Sequence, residues 1–132
     1  MLTLRQFLDK YPVRIRSVLV DANPNMNDMP EGSAHWRVTL SLRRSRMSLH
    51  YSQGPAVVEE PKVGDVLDCL ASDASSYENA RDFADFCADF GCDTDSRKAE
   101  AIYRVFGRQA ASLKRMLGQE AYNLLLWETE RA

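Results

Sequence analysis

A chain of 132 residues with 45% apolar and 27% charged side chains has the composition of one soluble domain with a buried core, not of a disordered segment. No window approaches the ~18 consecutive apolar residues of a membrane span, and Arg5, Asp9 and Lys10 interrupt the apolar run that a signal peptide needs, so a cytosolic protein is expected. The net charge of −2 hides a division, with residues 1–62 carrying nine bases and six acids and residues 63–132 carrying eight bases and thirteen acids.

Leu2, Leu4, Phe7 and Leu8 predict a short helix capped by Thr3 and ended by Pro12. Residues 13–20 are rich in β-branched side chains and predict a strand. Residues 21–33 hold two prolines, a glycine and three asparagines, and predict a loop long enough to suspect a role. Two further strands alternate cleanly. Trp36, Val38, Leu40 and Leu42 share one face, with Arg37, Thr39, Ser41 and Arg43 on the other; Met47, Leu49 and Tyr51 oppose Arg46, Ser48 and His50. A turn at Arg44–Ser45 pairs Leu42 with Met47 and Arg43 with Arg46, and its lack of Gly or Asn points to a wider loop. Residues 54–61 read as a linker.

From Lys62 the pattern turns helical. Val63, Val66, Leu67 and Leu70 mark a short helix, Asn79 to Phe90 a second stopped by Gly91, Ser96 to Leu117 a third stopped by Gly118, and the remainder a terminal helix. The expected fold is α+β, in one domain over residues 1–132. Residues 1–58 supply a helix and a small antiparallel sheet of about three strands; residues 62–132 supply about four helices.

Residues 65–95 contain nine carboxylates and the single base Arg81. On a helix from Asn79 to Phe90, Glu78, Asp82, Asp85 and Asp89 fall within about 60°, opposite Phe83, Phe86, Cys87 and Phe90. One reading is a solvated face. The other is a nucleic-acid-mimicking surface of Asp68, Asp73, Glu78, Asp82, Asp85, Asp89, Asp93 and Asp95 that docks on a basic groove of a partner, favoured by the absence of interleaved bases. The opposing candidate is a phosphate-binding face of Arg37, Arg43, Arg44, Arg46 and His50 on the hairpin, extended by Arg14 and Arg16. With Trp36 and Tyr51 on the inward face, it lacks the aromatic platform usual for stacking bases. Pairing of the basic and acidic faces would also permit weak self-association.

Chemistry is not signalled. Cys69, Cys87 and Cys92 are an odd number without a CxxC motif and read as buried free thiols, with no metal or cofactor expected. "DFG" at residues 89–91 has no other kinase element beside it, and the acids from Asp89 to Asp95 do not make a calcium loop. A non-enzymatic protein is expected.

The stretches "DANPNMNDMPEGSAHWRVTL", "VLDCLASDASSYENARDFADFC" and "DTDSRKAEAIYR…LLLWETER" resemble a family of small, largely uncharacterised proteins of phages and prophages of proteobacteria. The resemblance covers most of the chain and brings no catalytic residues. It implies a phage-encoded protein of the host bacterial cytosol that binds and inhibits a host defence complex, such as the ribonucleoprotein effector of a CRISPR–Cas system, in the manner of anti-CRISPR proteins. The alternative is a phage nucleic-acid-binding accessory protein that uses the basic hairpin.

Overall fold

Alternation at period two becomes a three-stranded antiparallel sheet in the order β2 (Arg14–Asp21), β3 (Ala34–Leu42), β4 (Ser45–Gln53). The computed structural model describes residues 1–21, 34–53, 59–91 and 93–131, with only the backbone of Asp21 and Phe90. The expected 21–33 loop beyond Asp21, most of the 54–61 linker and Cys92 therefore lie outside the described residues. On β3, Ala34, Trp36, Val38, Leu40 and Leu42 are all buried, joined by Met47 and Leu49 of β4. Trp36 keeps its indole N–H satisfied by donating to Gln53 Oε1 at 3.0 Å.

The hairpin corrects the expected register. Leu42 pairs with Ser45, Ser41 with Arg46 and Leu40 with Met47, so the loop is the two residues Arg43–Arg44 and not a wider one. Arg43 takes φ = +57°. That is the positive φ which a two-residue hairpin asks of its first loop residue and which glycine normally supplies. The slip from the expected pairing is two residues, so every side chain keeps its face.

Helix α1 (Leu4–Lys10) starts on a capping box: the Thr3 hydroxyl accepts from the Gln6 N–H, and the Gln6 side chain accepts from the Thr3 N–H. The strand stubs β1 (Leu2–Thr3) and β5 (Thr129–Glu130) pair in parallel beside it. Helix α2 is not short. It runs from Val63 to Asn79 and buries Val66, Leu67, Leu70, Ala71 and Ala74. The predicted Asn79–Phe90 helix is broken instead: α3 spans Phe83–Phe90, with Asp82 as N-cap and Gly91 in the left-handed conformation after it, at φ = +72°. Helix α4 (Arg97–Leu117) begins where Ser96 Oγ accepts from the Ala99 N–H at 3.2 Å. Helix α5 (Gln119–Trp127) follows Gly118. The fold is α+β, as expected.

The core lies between the inner face of the sheet and helices α2, α4 and α5, with Tyr122, Phe7, Leu40, Leu67, Leu113 and Leu125 fully enclosed. Packing of α2 on α4 needs Gly107, where a Cβ would lie 2.7 Å from the Tyr77 ring. Beside it Tyr103 meets Tyr77, Phe83 and Phe86, with ring centroids 5.1–5.3 Å apart. No helix among the described residues is long and apolar enough to cross a membrane.

Candidate functional site

Strand register sets the outer face of the sheet row by row. Arg14, Ser41 and Arg46 stand side by side, then Arg16, Thr39 and Ser48, then Val18, Arg37 and His50, then the Asp21 backbone beside His35 and Ser52. Successive rows are about 7 Å apart and neighbouring strands about 4.8 Å. The side chains described on this face therefore form a strip about 20 Å long and 10 Å wide bearing guanidinium, imidazole and hydroxyl groups, and the Asp21 position closes its last row beside His35. Arg14 and Arg16, from a strand distant in sequence, share it with Arg37 and Arg46. At the turn, Ser41, Arg43, Arg44, Ser45 and Arg46 line an open depression of about 350 Å³. Three guanidiniums with two hydroxyls suit an oxyanion, which accepts from all of them.

Sequence reading missed His35. Its Nε2 lies 3.2 Å from His50 Nδ1, its Nδ1 3.3 Å from Ser52 Oγ, and the two imidazoles stack with centroids 5.1 Å apart. The two histidines are fifteen residues apart and occupy diagonal ladder positions, visible only once Arg37 is known to face His50. Trp36 is buried on the other side and Tyr51 packs half-buried against the core, as expected, so among the described residues the outer face carries no indole or phenol ring.

The acidic residues do not form the expected stripe. The helix break at Ala80–Asp82 puts Glu78 on α2, away from Asp85 and Asp89 on α3. Several carboxylates have structural duties. Glu78 Oε1 accepts from the Tyr122 hydroxyl at 2.8 Å and lies 3.6 Å from Lys114 Nζ. Asp68 lies 3.6 Å from Arg131 Nε, while Arg131 Nη1 donates to the carbonyls of Leu125 and Leu126 at the end of α5. Asp82 accepts from the Asp85 N–H at 2.9 Å, Asp85 accepts from the Arg81 N–H at 3.0 Å, and Asp93 accepts from the Asp95 N–H at 3.0 Å. Asp82, Asp85 and Asp89 remain together around α3, followed by exposed Asp93 and Asp95.

Asp73 is set apart. It shares a small cleft with Cys69, His50 and Gln109, and burial lifts its carboxyl from 3.8 to about 6. Cys69 is exposed and not buried as expected, whereas Cys87 is buried; both are free thiols. Although the residue is exposed, partial enclosure in this cleft, then Asp73 and Asp68, raise the Cys69 thiol, which keeps it protonated and works against nucleophilic use. Among the described residues no group of three or more His, Cys, Asp or Glu side chains is placed to hold a metal ion. Compared with known proteins, the chain matches no protein-family model, no curated protein and no solved structure.

Proposed function

We propose that this chain is a phage-encoded accessory protein that binds nucleic acid through the phosphate backbone, using the outer face of the β2–β3–β4 sheet and its Arg43–Arg44 tip. The observation that carries this reading is the strip itself: Arg14, Arg16, Arg37 and Arg46, from three strands, share one face with six hydroxyl and imidazole side chains between them. Without indole or phenol rings the contacts are to phosphate and sugar, so affinity is high in charge and low in sequence preference. Acidic residues around α3 and α2 hold the helical side away from the strand and orient the approach.

The test is fluorescence anisotropy of a labelled single strand and a duplex across a salt series. Four to six phosphate contacts give a log–log slope of about −3 to −5. Arg37→Gln with Arg46→Gln should reduce that slope by about 2, and Arg43→Gly should weaken binding without loss of fold. Absence of retention on any nucleic acid at low salt would remove this reading.

A second reading, inhibition of a host defence complex in the anti-CRISPR manner, keeps one supporting observation: Asp82, Asp85, Asp89, Asp93 and Asp95 crowd around the two turns of α3 with Arg81 as the one base from residue 79 to residue 96. Changing Asp82, Asp85 and Asp89 to Asn preserves the cap, since Asn caps as well as Asp. On this reading the variant loses affinity for a basic partner captured from infected cells, chiefly in association rate.

A further inference from the structure

The two edges of the sheet are finished differently. β2 carries Arg14 and Arg16, and its ladder slips between Leu19 and Asp21; charge and irregularity both discourage pairing with another strand. β4 has neither. Its ladder with β3 runs from Ala34↔Gln53 to Leu42↔Ser45 without a shift, and residues 47–53 contain no Lys, Arg or Pro. Among the described residues no other strand covers its far side.

A groove follows this edge. One half, about 370 Å³, lies between β4 and Arg108, Gln109 and Ser112 of α4. The other, about 120 Å³, lies between β4 and Cys69 and Asp73 of α2. His50 and Gln109 line both halves, so the groove is continuous along Met47–Ser52, about 17 Å of strand. It holds two unmatched charges, one in each half. Asp73 is half-buried without a hydrogen-bond or ion-pair partner among the described residues, and exposed Arg108 has none either.

We propose that the β4 edge accepts an extended peptide of another protein as a fourth strand, with a lysine or arginine side chain seated against Asp73. The strand edge supplies main-chain hydrogen bonds and the helix-lined groove takes alternate side chains. A cation at Asp73 provides the partner that this carboxylate lacks. A second copy of this chain fits less well, because its β4 offers a single arginine, Arg46, at the turn end of the strand and none along residues 47–53. Nucleic acid fits less well, because its phosphates would meet Asp73.

The test is amide NMR of the labelled protein with Ac-Thr-Val-Lys-Val-Thr-NH2, its Lys→Glu counterpart and a version N-methylated on alternate amides. Shifts at Met47–Ser52 are expected with the lysine peptide. Binding should be at least ~10-fold weaker for the glutamate peptide and lost on N-methylation. Asp73→Asn should erase the preference for lysine and Asp73→Lys should reverse it. The proposal is overturned by shifts that avoid β4, by no shift up to about 2 mM peptide, or by a lysine preference that survives in Asp73→Asn. Concentration-dependent broadening of β4 without peptide would place a second copy in the groove and overturn it equally.

Discussion

Replacing Asp73 by Asn should stabilise the protein at neutral pH and do nothing at acid pH. Burial alone raises the Asp73 carboxyl from 3.8 to about 6. The folded state therefore favours the protonated acid, and the sign follows. Near pH 3 and below the group is largely protonated in both states and contributes almost no penalty. Between about 4 and 6 the unfolded chain has released the proton while the folded one still holds it, so stability falls as pH rises. Above 6 the whole cost is present. At 1.36 kcal/mol per pH unit the interval amounts to about 3 kcal/mol, and partial exposure of the carboxylate cuts this to about 1–1.5 kcal/mol. Asn keeps shape and helix propensity without the charge. Urea unfolding at pH 3 and pH 7.5 should show coincident curves at the first and a gain of about 1–1.5 kcal/mol for the variant at the second, or about 4–6 °C in Tm. A variant that is equally shifted at both pH values, or destabilised at 7.5, would refute burial as the cause.

Tyr122→Phe removes a buried hydroxyl that donates to Glu78 and leaves that carboxylate short of a partner; urea midpoints should show a loss of about 1.5–3 kcal/mol, as for a hydrogen bond to a charged group. Gly91→Ala forces a Cβ into the left-handed conformation that ends α3. With nothing within 4 Å to clash, the cost should be only the conformational ~1–2 kcal/mol, measured by thermal unfolding. Alkylation followed by mass spectrometry should label Cys69 in the native protein and Cys87 only after unfolding, since the first is exposed and the second buried.

What could be read ahead of the structure follows from which patterns have a local cause. Trp36 to Leu42 and Met47 to Tyr51 declare their faces because alternation survives a register error of two, although the pairing itself does not. Arg43–Arg44 carried no turn signal; backbone strain at Arg43 is tolerated because both flanking strands bury their inner faces. The α2–α3 break was hidden because Tyr77 to Arg81 contains no Gly or Pro. Its signal was Asp82 ahead of the apolar Phe83, with Asp85 at the third helical position, a cap with two acids where the usual pattern expects Glu or Gln. The acidic stripe failed with that break, since its angular argument required one continuous helix. Asp73 and His35 were beyond reach for another reason: their surroundings are made by elements far apart in sequence.

The β1–β5 pairing gives the fold a built-in order of events. Leu2 pairs with Thr129 and Thr3 with Glu130, two rungs that join stretches over a hundred residues apart. Closing so long a loop from an open chain costs about 4 kcal/mol in entropy, which two rungs cannot offset. The hairpin closes across two residues and can form at once. The ladder can therefore zip only after the sheet and helices have drawn its halves together, and it should be the first contact to open. While the chain is being synthesised, α1 and its buried Phe7 wait unlatched until residues 129–131 have emerged, so the N-terminal segment docks late although it is made first.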